Sequence, residues 1–267
     1  LAAFAMPLSA FFIINLPVIT ANIVARKSGS ALIGRAVGEE YADASVISFA
    51  DTEVYPANRV KITSIKTYGD YRIDLIINDL AKVFSFVGGP LKQVTSNMLE
   101  GGADSSYTSA RLIESASDGI CVVIDGREMF LGKKSYLRRY RFETPADAKD
   151  DRFEEAGGSV MFVTMNDMLI AKVYVRYRIS EQFNSLLRDM YRAGMCVGIK
   201  TVDPNITTAL LERTVRYKKC PISILKAGEV GDVEGHTDRI DSGIVSTASL
   251  HTFLRMFIVC DKVRHVT

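Results

Sequence analysis

Apolar and polar positions form short alternating runs through the middle of the chain. Residues 120–124 and 128–131 are two such runs, and Asp125-Gly126 between them is a dipeptide typical of a tight hairpin turn. The same strand, turn, strand pattern recurs over residues 159–175. Two successive hairpins predict an antiparallel sheet in this part of the chain.

The C-terminal third follows a different period. Residues 181–193 predict a helix that Gly194 ends, residues 195–200 predict a short strand, and residues 206–217 predict a second helix. Alternation of strand and helix is the signature of a parallel sheet. Near the N-terminus, the β-prone residues 46–49 end at small and polar residues, where open α/β sheets place their chemistry. The pattern predicts an α/β fold: a discontinuous, Rossmann-type parallel sheet with an inserted α+β domain that contains an antiparallel sheet.

Residues 1–25 carry no charged side chain. A segment of this length can cross or nearly cross a bilayer, and Arg26-Lys27 supply the basic flank expected on the cytoplasmic side. Pro7 and Pro17 interrupt the run, which a broken membrane helix tolerates. A buried helix of a soluble domain and a signal peptide are the alternatives, although no basic residue precedes the apolar run. The favoured interpretation is a membrane protein whose remaining residues are mostly cytoplasmic.

Composition argues against some classes of function but does not identify one. The chain has 267 residues, 48% of them hydrophobic, and its net charge of +2 gives no general reason to expect nucleic acid as a partner. Zinc sites need closely spaced ligands, whereas the cysteines and histidines here are scattered or confined to the C-terminal end. We therefore expect no metal site from them, and free thiols in a reducing compartment. These residues are Cys121, Cys196, Cys220, Cys260, His236, His251 and His265.

Residues 46–54, VISFADTEV, end a short strand in a polar loop. They align without a gap on the phosphorylation strand of P-type ATPases, in which the first Asp of D-K-T-G-T is phosphorylated, and Phe49 and Thr52 match that strand. Ala50 stands at the place of the nucleophile. Residues 16–20, LPVIT, resemble the broken fourth membrane helix of the same family. The chain thus resembles a degenerate P-type (E1-E2) cation-transporting ATPase.

Two segments of the middle region extend this resemblance. Residues 118–133 resemble the late hairpin of the nucleotide-binding domain in heavy-metal pumps, and residues 158–175 resemble the last two strands of that domain. The resemblance implies nucleotide contacts at Gly119, Gly126, Gly132 and Lys133. Turns alone also explain the glycines, because glycine spacing is a weak signal for a nucleotide.

The C-terminal third carries a further match. Residues 197–203 resemble the loop that bears T-G-D, with Thr201 and Asp203 kept and Val202 in place of the glycine. Lys226 resembles the lysine that stabilises phosphate in such a sheet. Asp203 has a structural alternative, because Asp followed by Pro is typical of a helix N-terminus.

The family resemblance implies a haloacid dehalogenase-like sheet and three regions. Residues 1–28 are the expected membrane and stalk helix. Residues 29–57 and 176–267 together are the expected phosphorylation-like domain. Residues 58–175 are the expected nucleotide-binding-like insertion.

The chain departs from the family motifs at most of the residues that carry out phosphoryl transfer in the family. Ala50 cannot form an acyl phosphate, and Asp51 and Glu53 put negative charge where the motif has Lys and Gly. On a continuing strand, Asp51 would also point to the face opposite Ala50. No G-D-G-x-N-D motif is present, and its nearest counterpart at residues 228–232 has the wrong order. The resemblance therefore implies binding of ATP and Mg²⁺ that is weakened or lost.

The leading hypothesis is a membrane-anchored pseudoenzyme with a regulatory role or a role in binding nucleotide or a protein partner. Its vestigial site comprises Ala50, Asp51, Thr52, Thr201 and Asp203. A first alternative is a divergent phosphohydrolase with Asp51 as nucleophile and Glu53 as acid or base, which requires these two carboxylates and that of Asp203 to converge. A second alternative is an interaction domain without a ligand.

Overall fold

The structure is a computed structural model that describes residues 16, 19–27, 29–33, 45–99, 106–192, 194–226, 243–246, 256, 257, 259 and 260. The chain divides into two compact units. The larger unit draws on residues 48–188 and 196–236, and the smaller unit draws on residues 1–47, 189–195 and 237–267. The domain boundaries predicted from the sequence stay predictions.

A six-stranded antiparallel sheet dominates the larger unit, in the order β3-β8-β7-β6-β5-β4. Its strands are β3 (Val60–Thr67), β4 (Ala110–Ala116), β5 (Gly119–Ile124), β6 (Arg127–Gly132), β7 (Gly158–Met165) and β8 (Met168–Tyr177). Hairpins β5–β6 and β7–β8 confirm the two predicted hairpins. Their turns hold Asp125, Gly126, Asn166 and Asp167 at positive φ, as tight turns between twisted strands require. Strand β4 is missing from the sequence prediction, because its apolar positions alternate only weakly.

Short and medium helices connect the strands along the chain. They are α1 (Asp51–Val54), α2 (Ile73–Val87), α3 (Pro90–Ser96), α4 (Lys134–Arg139), α5 (Ala148–Glu155), α6 (Glu181–Arg192) and α7 (Thr208–Thr214), with a 3-10 turn at Ala57–Arg59. Tyr71, Ile73 and Leu75 alternate with polar residues, which predicts a strand, and this prediction is wrong. Helix α2 begins at Ile73 because its buried positions repeat at helical spacing through Ile76, Leu80, Val83 and Val87.

The region around residue 150 also differs from the sequence prediction. Residues 144–151 are polar, which predicts an exposed segment, but α5 begins at Ala148 and Asp150 is buried. The side chain of Asp147 accepts a hydrogen bond from the backbone N–H of Lys149 and so caps the helix. Polar composition predicts neither this helix nor the carboxylate that faces inward.

A three-stranded sheet in the order β10-β9-β2 brings together segments that are distant in the sequence. Its strands are β2 (Val46–Ala50), β9 (Cys196–Thr201) and β10 (Ile222–Lys226). Strands β9 and β10 are parallel, with Thr201 opposite Lys226 at their ends. The parallel pairing confirms the α/β class. The three strands end at Ala50, Thr201 and Lys226, which are all candidate site residues from the sequence.

In the smaller unit, residues 19–26 are helical, and β1 (Ser30–Ile33) pairs antiparallel with β11 (Gly243–Ser246). The buried side chains pack into a small core of Ala21, Ala25, Leu32, Met256 and Cys260. The Asn22 side chain joins the helix to β1, because its amide bonds both the N–H and the carbonyl of Leu32.

The predicted membrane segment falls largely on residues outside the described ones, since residues 1–15, 17, 18 and 28 are among those. Within the described part of the chain, no helix combines the length and the apolar character that a bilayer span requires.

Candidate functional site

Asp51 lies just beyond the end of β2, at the first position of α1. The strand ends at Ala50, so the alternation of side chains along a strand does not extend to Asp51. The Asp51 side chain is 0% exposed. Its Oδ2 accepts a hydrogen bond of 2.7 Å from the Thr201 hydroxyl at the end of β9. The structure thus joins two of the predicted site residues across the sheet.

Burial controls the acidity of Asp51. The pKa of Asp51 is raised from 3.8 to about 7, chiefly by desolvation and also by the nearby Asp203 carboxyl, while the Thr201 hydrogen bond and the Lys226 ammonium oppose the rise. Its second oxygen, Oδ1, is buried, and no described group meets it in hydrogen-bonding geometry. A protonated carboxyl at this place avoids a buried, uncompensated charge.

Gly89 closes the approach to Asp51. Gly88 and Gly89 both have positive φ, at 84° and 78°, a conformation that glycine adopts without strain. A Cβ at Gly89 would lie 3.1 Å from Asp51 Oδ2. The backbone between α2 and α3 therefore lies directly against the carboxyl group.

Asp203 is buried, and both of its carboxylate oxygens have partners. Oδ2 accepts a 2.7 Å hydrogen bond from the Tyr177 hydroxyl, and Oδ1 accepts bonds from the backbone N–H and the side-chain amide of Asn205. Burial raises the pKa of Asp203, and the Tyr177 bond opposes that rise. The helix-cap alternative for Asp203 is wrong, because α7 begins later and Thr207 caps it.

Lys226, at the end of β10, extends its ammonium group under the same loop. Its Nζ donates hydrogen bonds to the carbonyls of Asp203 at 2.9 Å and Ile206 at 3.4 Å. Burial lowers the pKa of Lys226, while the carboxyls of Asp203 and Asp51 oppose that change. Lys226 therefore fixes the loop after β9 and supplies positive charge to the two buried acids.

Three other candidate site residues are not among the buried side chains described above. Ala50 is the residue before α1, and it has no side-chain oxygen with which to cap that helix. Thr52 and Glu53 are exposed, and the Glu53 carboxylate accepts a 3.0 Å bond from the Ala50 backbone N–H. The acid–base pair expected of Asp51 and Glu53 does not form here, since one carboxylate is enclosed and the other is exposed.

The predicted nucleotide-contacting glycines have clear structural roles. Gly119 and Gly132 face each other across β5 and β6, and the ring of Tyr136 packs on both. Gly126 lies in the hairpin turn with open space around it. Their contact with nucleotide stays a prediction, but their lack of a side chain already has a cause in the packing.

Replacing Gly119 with Ala is expected to destabilise the protein by about 1–3 kcal/mol, the usual range for an overpacked core. A Cβ at Gly119 would lie only 2.0 Å from Tyr136 Cδ1, so the ring has to move. Urea denaturation measures the change. The Gly126→Ala variant is the control, because it meets only the backbone strain of a positive φ. A loss well below 1 kcal/mol in Gly119→Ala would show that Tyr136 is not packed on Gly119.

A cavity of about 640 Å³ lies on the α5 side of the larger unit. It is bounded by the start of α4, by α5, by the start of β7 and by α7. Its polar lining comes from Asp118, Lys133, Lys134, Ser135, Asp147, Asp150, Asp151, Glu154, Ser159, Thr207 and Arg213, and its apolar lining from Ala146, Ala148, Gly158, Val160, Phe162, Ala209 and Leu210. Lys133 is the predicted nucleotide-contacting residue that lines this cavity.

Lys133 is held in place by two polar groups. Its Nζ lies 2.7 Å from Glu154 Oε1 and 2.7 Å from Ser159 Oγ. Burial lowers the pKa of Lys133, and Glu154 opposes that change. Neither Glu154 nor Ser159 belongs to a motif of the sequence, so sequence reasoning missed both.

The described residues do not offer a site for Mg²⁺. No group of three or more His, Cys, Asp or Glu side chains among them is arranged to hold a metal ion. The oxygens of Asp203 are occupied by Tyr177 and Asn205, and Glu53 bonds the backbone of its own helix. No chemical step through Mg²⁺ follows from these groups.

No family model and no curated protein matches the chain. Among solved structures, a zinc-transporting PIB-type ATPase is similar at 14% identity, with 94% of this chain and 46% of that one covered and a TM-score of 0.41. A second structure of a zinc-transporting PIB-type ATPase, in the E2.Pi state, gives 15% identity, coverage of 95% and 47%, and a TM-score of 0.44. The catalytic domain of the CPx-ATPase CopB-B gives 13% identity, coverage of 73% and 67%, and a TM-score of 0.42.

The structural neighbours are P-type ATPases. The chain spans about half the length of the two zinc-transporting structures. All three TM-scores are below 0.5 and the identities are 15% or less, so the chemistry of the chain is argued from its own residues.

Proposed function

We propose that this chain is the cytoplasmic nucleotide-binding and phosphorylation-like region of a membrane-bound P-type ATPase-like protein, and that it acts as a pseudoenzyme. It forms no aspartyl phosphate and serves instead to bind nucleotide or a partner in a regulatory role. One observation carries the proposal. The strand end that should present a nucleophile carries Ala50, and the adjacent carboxyl of Asp51 is fully enclosed.

The groups that could assist phosphoryl transfer are turned inward. A nucleophilic carboxylate must be ionised and must reach phosphorus in line, whereas Asp51 is buried beneath Gly89 and has a pKa of about 7. The Thr201 hydroxyl bonds Asp51, and Lys226 bonds backbone carbonyls. Each of these side chains is engaged with another part of the protein, and the Asp51 carboxyl is enclosed.

The cavity beside Lys133 is the better place for a nucleotide. Its volume of about 640 Å³ lies within the range of small-molecule sites, about 300–1,000 Å³. Lys133, Lys134 and Arg213 can bind phosphate, and Phe162 and Leu210 provide apolar surface for a base. A bound nucleotide would bring anionic phosphates to these cations, and Lys133 would hold and orient them.

Phosphorylation by labelled ATP tests the pseudoenzyme proposal. The protein is incubated with γ-labelled ATP and Mg²⁺, quenched in acid and counted, and no label sensitive to hydroxylamine is expected. Label that disappears in the Asp51→Asn variant would overturn the proposal, because it would identify Asp51 as a working nucleophile.

Nucleotide binding has its own test. Titration calorimetry with ADP is expected to give binding that weakens about tenfold in the Lys133→Met variant, since one charge-assisted hydrogen bond contributes about 1.5–3 kcal/mol. Arg188→Met is the matched control, because that cation packs on the Tyr217 ring and is not among the cavity residues. No heat with ADP at millimolar concentration would favour an interaction domain without a ligand.

A divergent phosphohydrolase remains the second candidate, because one observation favours it. Asp51, Thr201 and Lys226 converge at the ends of three strands, as the resemblance to a haloacid dehalogenase-like sheet implies. This function requires the Gly88–Gly89 backbone to move away from Asp51. Hydrolysis of p-nitrophenyl phosphate that Asp51→Asn abolishes would establish it, whereas equal rates in both proteins would exclude Asp51 as the nucleophile.

A further inference from the structure

Two runs of hydrogen bonds, joined through the covalent bonds of Asp203, link the cavity to Asp51. The first run begins at Lys133, whose Nζ donates to Ser159 Oγ at 2.7 Å. Ser159 Oγ donates to Asn205 Oδ1 at 2.8 Å, and Asn205 Nδ2 donates to Asp203 Oδ1 at 3.2 Å. From there, the Asp203 backbone N–H donates to Thr201 Oγ1 at 3.0 Å. We call this series, together with the 2.7 Å bond from Thr201 to Asp51, the polar chain.

The donors of the polar chain all point the same way. Each N–H or O–H in it is directed away from Lys133 and toward the carboxyls of Asp203 and Asp51. Ser159, Asn205, Thr201 and Asp203 are each no more than 1% exposed. Water therefore screens the polar chain poorly, and the dipoles of the hydrogen bonds in it add in one direction. Positive charge at Lys133 then favours negative charge at the far end.

The charges that face Asp51 come from several elements. Asp203 follows β9, Lys226 ends β10, and Tyr177 ends β8 with its hydroxyl on Asp203. At the cavity, Glu154 on α5 holds Lys133. The fields of Lys133 and Asp203 reach each other, since the Asp203 carboxylate raises the pKa of Lys133. The two ends are thus coupled by charge as well as by hydrogen bonds.

We propose that an anion bound to Lys133 in the cavity changes the protonation of Asp51 through the polar chain. Glu154 already pairs with Lys133, so a bound anion adds negative charge at this end of the series, and the two buried acids then hold a proton more tightly. Binding of an anionic nucleotide takes up a proton at the closed site. The inference takes its ligand from the proposed function. The coupling between Lys133 and Asp51, however, is a property of the protein without any ligand.

Carbon-13 NMR of aspartate-labelled protein measures this coupling in the complete chain without ligand. The Asp51 carboxyl signal is assigned by its absence in Asp51→Asn and is followed from about pH 5 to pH 9, a window that brackets its raised pKa. The Lys133→Met and Ser159→Ala variants are expected to move its titration midpoint upward by about half a pH unit, which is roughly a threefold rise in proton affinity. Lys134→Met removes a cavity lysine that is not in the polar chain, and it is expected to leave the midpoint in place.

Lys133→Met and Ser159→Ala test the proposal separately, so one folded variant is enough to decide it. Ser159→Ala keeps the lysine and its bond to Glu154, so it reports on the polar chain alone, and circular dichroism shows which variants are folded. An unchanged midpoint in both Lys133→Met and Ser159→Ala would overturn the proposal. An equal shift in Lys134→Met would also overturn it, because general electrostatics would then account for the effect.

Addition of ADP separates the coupling from the proposed function. In the unmodified protein, ADP is expected to raise the Asp51 midpoint, and in Ser159→Ala it is expected to bind without doing so. ADP that binds the unmodified protein and leaves the midpoint unchanged would overturn the coupling. ADP that does not bind would overturn the proposed ligand, while the variant titrations without ligand would still decide the coupling.

Discussion

Replacement of Asp51 with Asn is expected to stabilise the protein by roughly 4 kcal/mol at about pH 8. The pKa of Asp51 is about 7 in the folded chain instead of 3.8, and each pKa unit corresponds to about 1.4 kcal/mol. Below pH 3.8 the carboxyl is protonated in both states and carries no penalty. Between pH 3.8 and about 7 the Asp51 carboxyl is ionised in the unfolded chain but still protonated in the folded one, so the free energy of unfolding falls as the pH rises. Above about pH 7 the carboxyl is ionised in both states, and the loss of stability stays constant. Asn keeps the shape and a hydrogen-bond acceptor but cannot ionise.

Urea denaturation at about pH 4 and about pH 8 measures this effect. The gain from Asp51→Asn is expected to be small at the lower pH and full at the higher. Asp74→Asn is the control, because Asp74 is exposed and its partner Arg72 holds its pKa below the ordinary value, which gives the opposite sign. A loss of stability from Asp51→Asn at the higher pH would mean that the Asp51 carboxylate is stabilised there, contrary to its burial.

Replacement of Lys172 with Met is expected to destabilise the protein by about 3–5 kcal/mol, the usual effect of breaking a buried ion pair. The Lys172 side chain is 0% exposed, and its Nζ lies 2.6 Å from Asp150 Oδ2 and 5.1 Å from the centre of the Phe162 ring. The Tyr174 hydroxyl donates to the other oxygen of Asp150 at 2.7 Å. Met fills the volume of the lysine but leaves the Asp150 carboxylate buried without its cation.

Thermal and urea denaturation at neutral pH measure the Lys172 effect. The matched control is Lys66→Met, which removes an exposed lysine 3.5 Å from Asp147 on the rim of the same wall. Exposed pairs contribute about 0–1 kcal/mol, so this variant is expected to be nearly neutral. The double variant Lys172→Met with Asp150→Asn is expected to recover part of the stability. Equal effects of Lys172→Met and Lys66→Met would show that Asp150 is not buried as a charge.

Local chemistry explains what the sequence predicts well. The two hairpins follow from dipeptides that accept positive φ, Asp125-Gly126 and Asn166-Asp167, between apolar runs. The helix Glu181–Arg192 follows from its apolar spacing, and Gly194, two residues beyond it, has a φ of 71°. In these places neighbouring residues determine the backbone, so a short window of sequence is sufficient.

Long-range contacts explain what the sequence does not predict. The motif positions identify Asp51, Thr201 and Lys226, but the direction of each side chain depends on partners far along the chain. Ser159 and Asn205 are separated by 46 residues and meet only in the folded structure. The same reason applies to the cavity, since its α5 wall is a polar segment whose buried Asp150 is recognisable only from its partners on β8.

The placement of β2 beside β9 also determines when the site can form. Asp51 and Thr201 are separated by 150 residues, so a very long loop must close before they meet. The antiparallel strands between them pair mostly with neighbours in sequence, and such local pairing is the faster step. The antiparallel sheet can therefore be complete while β2 is still unpaired. Until β9 is in place, the Asp51 carboxyl lacks its Thr201 partner, and with the ordinary pKa of 3.8 it is ionised at neutral pH.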